Sequence, residues 1–377
     1  MYYFEVKESL NFLSVGSTKT PRILDTTLRD GSYAVNFQFT AHDTATIASQ
    51  LEDIGFELIE IGHGVGLGAS RRNYGVAAET DEAYLAAAAG SLKRAKWGMF
   101  CIPGIADLSD VDLAAQYGMN FIRIGTNVVD VEDSQPFIER AKKHGMLVCA
   151  NYMKSYTVDP AEFARRAKLS ESYGAEVVYI VDSAGGMMTR DMEGYFRAVQ
   201  DTCSIAVGFH GHDNLGLGVA NSVCAVELGA DIIDTSLRGM GRSAGNTPTE
   251  LFIVVMERLG VRLGFDPLRV MDVGEKYIKP LAQNDRLNSI DIISGYSQFH
   301  SSYMSIIREF SNRFGVDPRK LIIALCERDR VNAPRALVEE VARSLSAGGD
   351  EAYSARFQLN RYHGAEQAPI HSSDSAE

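Results

Sequence analysis

Short apolar runs alternate with longer amphipathic stretches along most of this chain. Eight runs carry strand character: 22–25 (RILD), 58–62 (LIEIG), 97–101 (WGMFC), 121–125 (FIRIG), 146–151 (MLVCAN), 177–182 (VVYIVD), 205–210 (IAVGFH) and 231–236 (DIIDTS). Each is short, apolar and bounded by polar or glycine positions, the pattern of a buried strand. Between them apolar positions recur at helical spacing, as in FIERAKKHG, AEFARRAKLSESYG and GVANSVCAVELG. Several of these stretches end in Gly just before the next strand, where a helix C-terminus turns back. Thr40 opens the segment T-A-H-D, a capping-box pattern ahead of IASQLEDIG.

Eight strands in strict alternation with helices predict a parallel sheet. No G-x-G-x-x-G follows the first strand, which favours a closed (β/α)8 barrel of the α/β class over an open, doubly wound sheet. The barrel is expected to span residues 21–265, after an N-terminal extension over 1–20. Residues 266–350 read as helical without clear strands, through VMDVGEKYIKPLA, SSYMSIIREFSNRFG, DPRKLIIALCERD and PRALVEEVARSL. They predict a smaller helical C-terminal domain packed on the barrel. The remainder, 351–377, ends in the small, polar AEQAPIHSSDSAE and reads as a tail, disordered at its end.

Composition narrows the function. The 377 residues are 45% hydrophobic and 23% charged, the make-up of a globular protein. A net charge of −12 argues against nucleic acid or an anionic membrane as partner. Five cysteines, at 101, 149, 203, 224 and 326, are widely spaced and form no CxxC. They are expected to be reduced thiols, as in a cytoplasmic protein. Neither a leader pattern nor a run of about 18 apolar residues is present. The expectation is a soluble, cytoplasmic protein.

In such a barrel the chemistry lies where strands end. The seventh strand ends G-F-H-G-H-D-N. His210 and His212 are two apart, so their side chains share a face of an extended strand. Two imidazoles converging at a barrel mouth can hold a divalent cation; the plainer reading is one ligand or base with the other as polar lining. The first strand ends L-D-T-T-L-R-D-G-S-Y. Asp30 offers an anionic oxygen to complete a two-His, one-carboxylate set with open positions for substrate. Arg29 is always charged and matches a carboxylate. Alone, the two could form a salt-bridged turn. Together with the histidines they suggest a 2-oxo acid chelating a Lewis-acidic ion that stabilises an enolate. After the sixth strand, V-D-S-A-G-G places Ser183 as a hydrogen-bond donor to that acid or as a helix cap. Asn246, in R-G-M-G-R-S-A-G-N, can supply an oxygen to the ion or its surroundings.

Taken together, LDTTLRDGS, IGHGVGL with the following NYG, VDSAGGM and the stretch from GFHGHDNLGLG to GRSAGNTPTE resemble the DRE-TIM metallolyases. The nearest branch is the 4-hydroxy-2-oxovalerate aldolases, and the likeness runs from about residue 23 to beyond 300. The resemblance implies a (β/α)8 barrel with a helical C-terminal domain and a divalent cation. Mn2+ is the expected ion, with Mg2+ or Co2+ as alternatives. It further implies retro-aldol cleavage of a 4-hydroxy-2-oxo acid to pyruvate and an aldehyde. Asp30, His210 and His212 match the metal ligands, and Arg29 and Ser183 match groups that bind the pyruvate part. Asn246 lies where related Claisen enzymes use an extra ligand. The resemblance also implies an oligomer and an acylating aldehyde dehydrogenase as partner.

One departure touches the acid/base chemistry. Where the aldolases carry a catalytic His after R-D-G-S, this chain has Tyr33. Where they carry Tyr in G-Y-x-x-x-Y-S-S, it has His300. Either the two meet over the substrate 4-hydroxyl as an exchanged proton-transfer pair, or the pair is lost and His300 only packs. His63, leaving the second strand in HGVG, is a further candidate pocket group, and Val65 beside it stands where the aldolases tend to have Asp. Two other functions compete. An acyl-CoA-dependent Claisen condensation of the isopropylmalate or homocitrate synthase type usually carries R-D-G-E-Q, and here R-D-G-S-Y argues against it. A non-catalytic, metal-binding subunit of a partner dehydrogenase is the other.

Overall fold

The computed structural model describes residues 20–281 and 289–348. The extension up to residue 19 and the tail expected over 351–377 lie outside the described residues. Eight parallel strands close into a barrel in chain order: β1 (Arg22–Asp25), β2 (Leu58–Ile61), β3 (Lys96–Cys101), β4 (Phe121–Asn127), β5 (Leu147–Met153), β6 (Val177–Asp182), β7 (Ala206–Gly211) and β8 (Ile232–Thr235). All eight apolar runs are strands. Closure is made by β1 against β8, with Ile23 opposite Ile233 and Leu24 opposite Asp234. This settles the choice between an open and a closed sheet.

Seven helices return the chain between strands and an eighth follows β8: α1 (Ala41–Asp53), α2 (Asp81–Ser91), α3 (Leu108–Gln116), α4 (Gln135–Lys143), α5 (Pro160–Tyr173), α6 (Thr189–Thr202), α7 (Gly218–Glu227) and then α8 (Thr249–Arg258). At the start of α1 the Thr40 hydroxyl accepts from Asp43 N–H, and the Asp43 carboxylate accepts from Thr40 N–H, so the capping box is formed.

Strand periodicity sorts the side chains. On β4, Ile122 and Ile124 face the helices and join the large outer core, while Phe121 faces the barrel interior. Ile59 and Ile61 on β2 likewise face outward, and Leu58 inward. The inward positions between them are Glu60 and Arg123, both fully buried. A floor of Leu24, Leu58, Phe121, Val177, Tyr179 and Ile232 therefore carries a charged layer above it.

Beyond α8 come α9 (Pro267–Val273), α10 (Ser289–Ser297), α11 (Met304–Phe314), α12 (Pro318–Cys326) and α13 (Arg335–Ala347). Val270, Val273 and Ile278 belong to the barrel's outer core. A separate core of Ile290, Phe299, Ile307, Phe310, Leu321, Leu325 and Val338 starts later. The packing thus divides after Ile278, further along than position 265, because α9 lies against the barrel. Helix α10 docks on the loops leaving β6 to β8. Asn214 Nδ2 donates to Asp291 O at 3.0 Å, and Ser243 Oγ donates to Asp291 Oδ1 at 2.8 Å. A Cβ on Gly186 would stand 2.2 Å from Gly295 O, so only glycine permits this approach. The docking carries His300, just past α10, to the barrel mouth.

Candidate active site and metal centre

At the C-terminal ends of the strands lies a cavity. Arg29, Asp30, Tyr33, Ser183, His210, His212 and His300 all line it, with Arg242, Asn151, Phe100 and Val65 among the rest. The polar and charged groups come from the exits of β1, β6, β7 and β8 and from the segment after α10; strand exits are where a (β/α)8 barrel assembles its chemistry.

One ligand atom each from Asp30, His210 and His212 lies within 4.8 Å of the others, and all three residues are buried. The two imidazoles share a face, with ring centroids 5.0 Å apart. Ligands sharing an ion with bonds of about 2.1 Å stand roughly 3–4 Å apart, and the Asp30–His210 pair at 3.9 Å already meets that spacing. Three further observations fit a divalent cation. Asp30 Oδ2 is buried without a hydrogen-bond partner, 3.9 Å from His210 Nε2. His210 Nδ1 bonds Asp234 Oδ2 at 2.8 Å, and His212 Nδ1 donates to Gly245 O at 3.2 Å, which turns both Nε2 atoms to the gap. Burial, then the Arg242 charge, holds His212 well below the usual imidazole value, the neutral state that ligation requires. For Asp30, burial opposes ionisation. Arg29, His212, His210 and Arg242 outweigh it and keep the carboxyl well below its usual range.

Behind the triad runs a chain of buried charges. Arg29 Nη1 donates to Asp30 Oδ1 at 2.8 Å, and its Nε to Glu60 Oε2 at 2.7 Å. Arg123 donates to the same Glu60 oxygen at 2.8 Å, to Asn151 Oδ1 at 2.8 Å and to Asp234. Asp234 holds His210, so the path from one candidate ligand returns to another. Three carboxylates face two guanidiniums in this chain. The one surplus negative charge suits a cation at its open end. Arg29 also lies over the Phe100 ring, 4.7 Å from its centroid, and Arg123 over Tyr179 at 4.3 Å; both contacts fix the planes of the guanidiniums.

Ser183 Oγ accepts from Lys154 N–H at 2.9 Å, so its O–H is the end that can donate. The loop bearing it is pinned by Asp182, which takes the N–H groups of Gly186 and Met187 at 3.0 Å each. Asn246 is 1% exposed, donates to Met240 O at 3.3 Å and leaves Oδ1 without a hydrogen-bond partner. It does not line the cavity itself.

Tyr33 and His300 line one cavity although 267 positions separate them. The Tyr33 ring presses on Gly64, where a Cβ would stand 2.7 Å away. His300 is 3% exposed. Its Nδ1 lies 2.7 Å from Ser302 Oγ and accepts weakly from Ser302 N–H at 3.3 Å. With Nδ1 accepting, the Ser302 hydroxyl donates to it as well, and the neutral ring carries its proton on Nε2. Burial, then Arg242, Lys154 and His212, pushes His300 well below its usual value.

His63 departs from its expected place. It is 1% exposed but does not line the cavity. Its Nδ1 accepts from Val65 N–H and its Nε2 lies 3.1 Å from Gly75 O. Phe37 stacks on the ring at 4.0 Å. Both nitrogens serve the backbone, so the ring braces the loop after β2 instead of facing the pocket.

Glu60, Arg123, Asn151, Asp234 and Arg242 escaped the sequence reading. A signal for the first, second and fourth was present: LIEIG and FIRIG each set one charge between apolar residues, and DIIDT sets Asp234 directly after two isoleucines, all at inward positions of a strand. Arg242 gave no such signal, because it leaves a glycine-rich loop.

A family model described as HMGL-like matches residues 20–276. The 4-hydroxy-2-oxovalerate aldolase of Carboxydothermus hydrogenoformans is 39% identical over 329 residues, covering 87% of this chain and 98% of that protein. Its counterpart from Moorella thermoacetica is 38% identical, covering 88% and 98%. Among solved structures, the carboxyl transferase domain of Rhizobium etli pyruvate carboxylase superposes with a TM-score of 0.70 at 17% identity, covering 87% of this chain and 60% of that one. HMG-CoA lyase from Brucella melitensis superposes at 0.61 and 19%, covering 70% and 99%. These two show the fold alone. With the family model matched across the barrel and relatives aligned along nearly their whole length, the chain belongs to the HMGL-like family.

Proposed function

We propose that this chain is a divalent-metal-dependent aldolase that cleaves, or forms, the C3–C4 bond of a 4-hydroxy-2-oxo acid, giving pyruvate and an aldehyde. The buried triad of Asp30, His210 and His212, open to a cavity lined by two arginines, carries the reading. The aldolases named above support it.

Asp30, His210 and His212 would hold the ion, with Asn246 as a candidate further oxygen. Two imidazoles and one carboxylate suit a borderline ion better than an all-oxygen site does, which is why we place Mn2+ ahead of Mg2+. When bound, the ion polarises the 2-oxo group and offsets the charge that develops on it. Arg29 orients the pyruvate part and adds charge of the same sign. Ser183 donates its hydroxyl hydrogen to the same part of the substrate. His300, which lines the cavity together with Tyr33, takes the 4-hydroxyl proton. The C3–C4 bond breaks, its electrons pass to C3, and the aldehyde leaves. A proton returned to C3 completes pyruvate. Val65, Phe100 and Ile102 give the aldehyde end an apolar wall.

Among the described residues no helix is long and apolar enough to cross a membrane. All five cysteines are free thiols, which supports a cytoplasmic location. The resemblance also motivates self-association and an acylating aldehyde dehydrogenase as taker of the aldehyde; co-elution of the purified chain with itself or a dehydrogenase tests both.

The direct test is pyruvate release, coupled to lactate dehydrogenase, from metal-stripped protein over a panel of 4-hydroxy-2-oxo acids. Mn2+-dependent release is expected. Silence across the panel with metal bound, or turnover only with an acyl-CoA, refutes the reading.

A further inference from the structure

Arg242 enters the cavity from the loop after β8 and is 6% exposed. Its Nη2 donates to His212 Nε2 at 3.1 Å and to Ser183 O at 3.1 Å, and its Nη1 donates to Ser301 Oγ. His212 Nδ1 is engaged by Gly245 O, so Nε2 is the atom with which His212 must ligate an ion. One imidazole lone pair cannot serve a guanidinium N–H and a metal together. The guanidinium and the ion also repel each other at this range.

We infer that Arg242 and the catalytic ion exchange at His212 Nε2, and that the N–H so released binds the carboxylate of the 2-oxo acid. This rests on the proposed aldolase reading, in that the cavity takes both an ion and a 2-oxo acid. Arg29 is already committed to two carboxylates, Asp30 and Glu60, whereas Arg242 lines the cavity beside His212. A planar guanidinium also matches a carboxylate at two points. Ser301, which holds its other nitrogen, adjoins His300 and belongs to the segment after α10. The guanidinium therefore links the metal side of the cavity to the His300 side.

Ion and anion must then bind cooperatively. The ion frees the donor that the anion needs, and the anion offsets the charge that the ion faces. The coupling is reciprocal. It is measured by titrating Mn2+ into the metal-stripped full chain, by calorimetry and by loss of the free Mn2+ electron paramagnetic resonance signal, with and without saturating pyruvate. In the wild type pyruvate is expected to tighten Mn2+ binding by about five-fold or more. Arg242→Met removes the competitor and its charge. It is expected to bind Mn2+ alone about ten-fold tighter than wild type, to lose the pyruvate effect, and to raise KM for the substrate more than it lowers kcat. Arg242→Lys keeps the charge and guards against loss of the fold; it is expected to hold Mn2+ near wild-type affinity and to lose most of the pyruvate effect. Weaker Mn2+ binding by a folded Arg242→Met protein, or an undiminished pyruvate effect in either variant, overturns the inference. If Mn2+ and pyruvate couple through Arg242 but no 4-hydroxy-2-oxo acid is cleaved, the inference stands and the aldolase reading falls. If the wild type binds no Mn2+, both fall.

Discussion

The exits of β2 and β7 each present a buried histidine, and the two rings do opposite things. His63 and His212 are almost equally hidden, at 1% and 2% exposure. His63 has a backbone partner on each nitrogen and Phe37 stacked across its face. His212 has one backbone partner, Gly245 O, and aims its other nitrogen at Asp30 and Arg242. Position at a strand end and burial therefore do not make a ligand. A ring nitrogen left over after the backbone is served does.

The largest effect should come from the triad to which the β7 exit belongs. Asp30→Asn or His212→Ala is expected to abolish bound Mn2+ and pyruvate release together, read by metal analysis and the coupled assay. An active, metal-free variant would sink the assignment of the triad. His300→Ala should follow, with kcat down by roughly 10²–10⁴ and metal content kept; unchanged turnover would make His300 a packing residue. Asp234→Asn removes the carboxylate behind His210 and should weaken Mn2+ by about 10–100-fold, leaving the β2 exit untouched.

The smallest effect on chemistry belongs to His63. His63→Leu should keep metal content and KM, and lose about 1–3 kcal/mol of stability through two stranded backbone groups. Burial holds the folded ring at about 4, against about 6.5 when unfolded. Between those values the unfolded chain binds a proton that the folded one does not. The contribution is thus fully present above about pH 6.5 and is lost as pH falls toward 4, by up to about 1.4 kcal/mol per pH unit. Denaturant melts of the two proteins at pH 7 and pH 5 should converge on lowering the pH; parallel curves would show that His63 is not the neutral brace described.

Much of the barrel was legible because each strand must bury both faces and each helix one. RILD and VVYIVD matched β1 and β6 at both ends. The remaining strands shifted by one or two residues, since the ends depend on pairing with neighbours. Helix α10 falls within the region read as helical but outside the stretches with a clear pattern. Its glycine and serines weaken the helical pattern, and contacts with Gly186, Asn214 and Ser243 hold it in place. The charges on Glu60 and Arg123 were visible, but they read as polar breaks in apolar runs until closure of the sheet placed them side by side.

The sequence by itself determined the alternation of eight strands with helices, the H-x-H pair on one face and the acidic oxygen at Asp30. These follow from periodicities of two and 3.6 residues, which are local. Only the tertiary structure decided that His63 braces a loop, that Arg242 reaches His212, and that His300 shares a cavity with Tyr33. Each of those facts depends on where a polar atom finds its partner. Those partners come from loops and strands that only barrel closure and the docking of α10 bring within hydrogen-bonding reach.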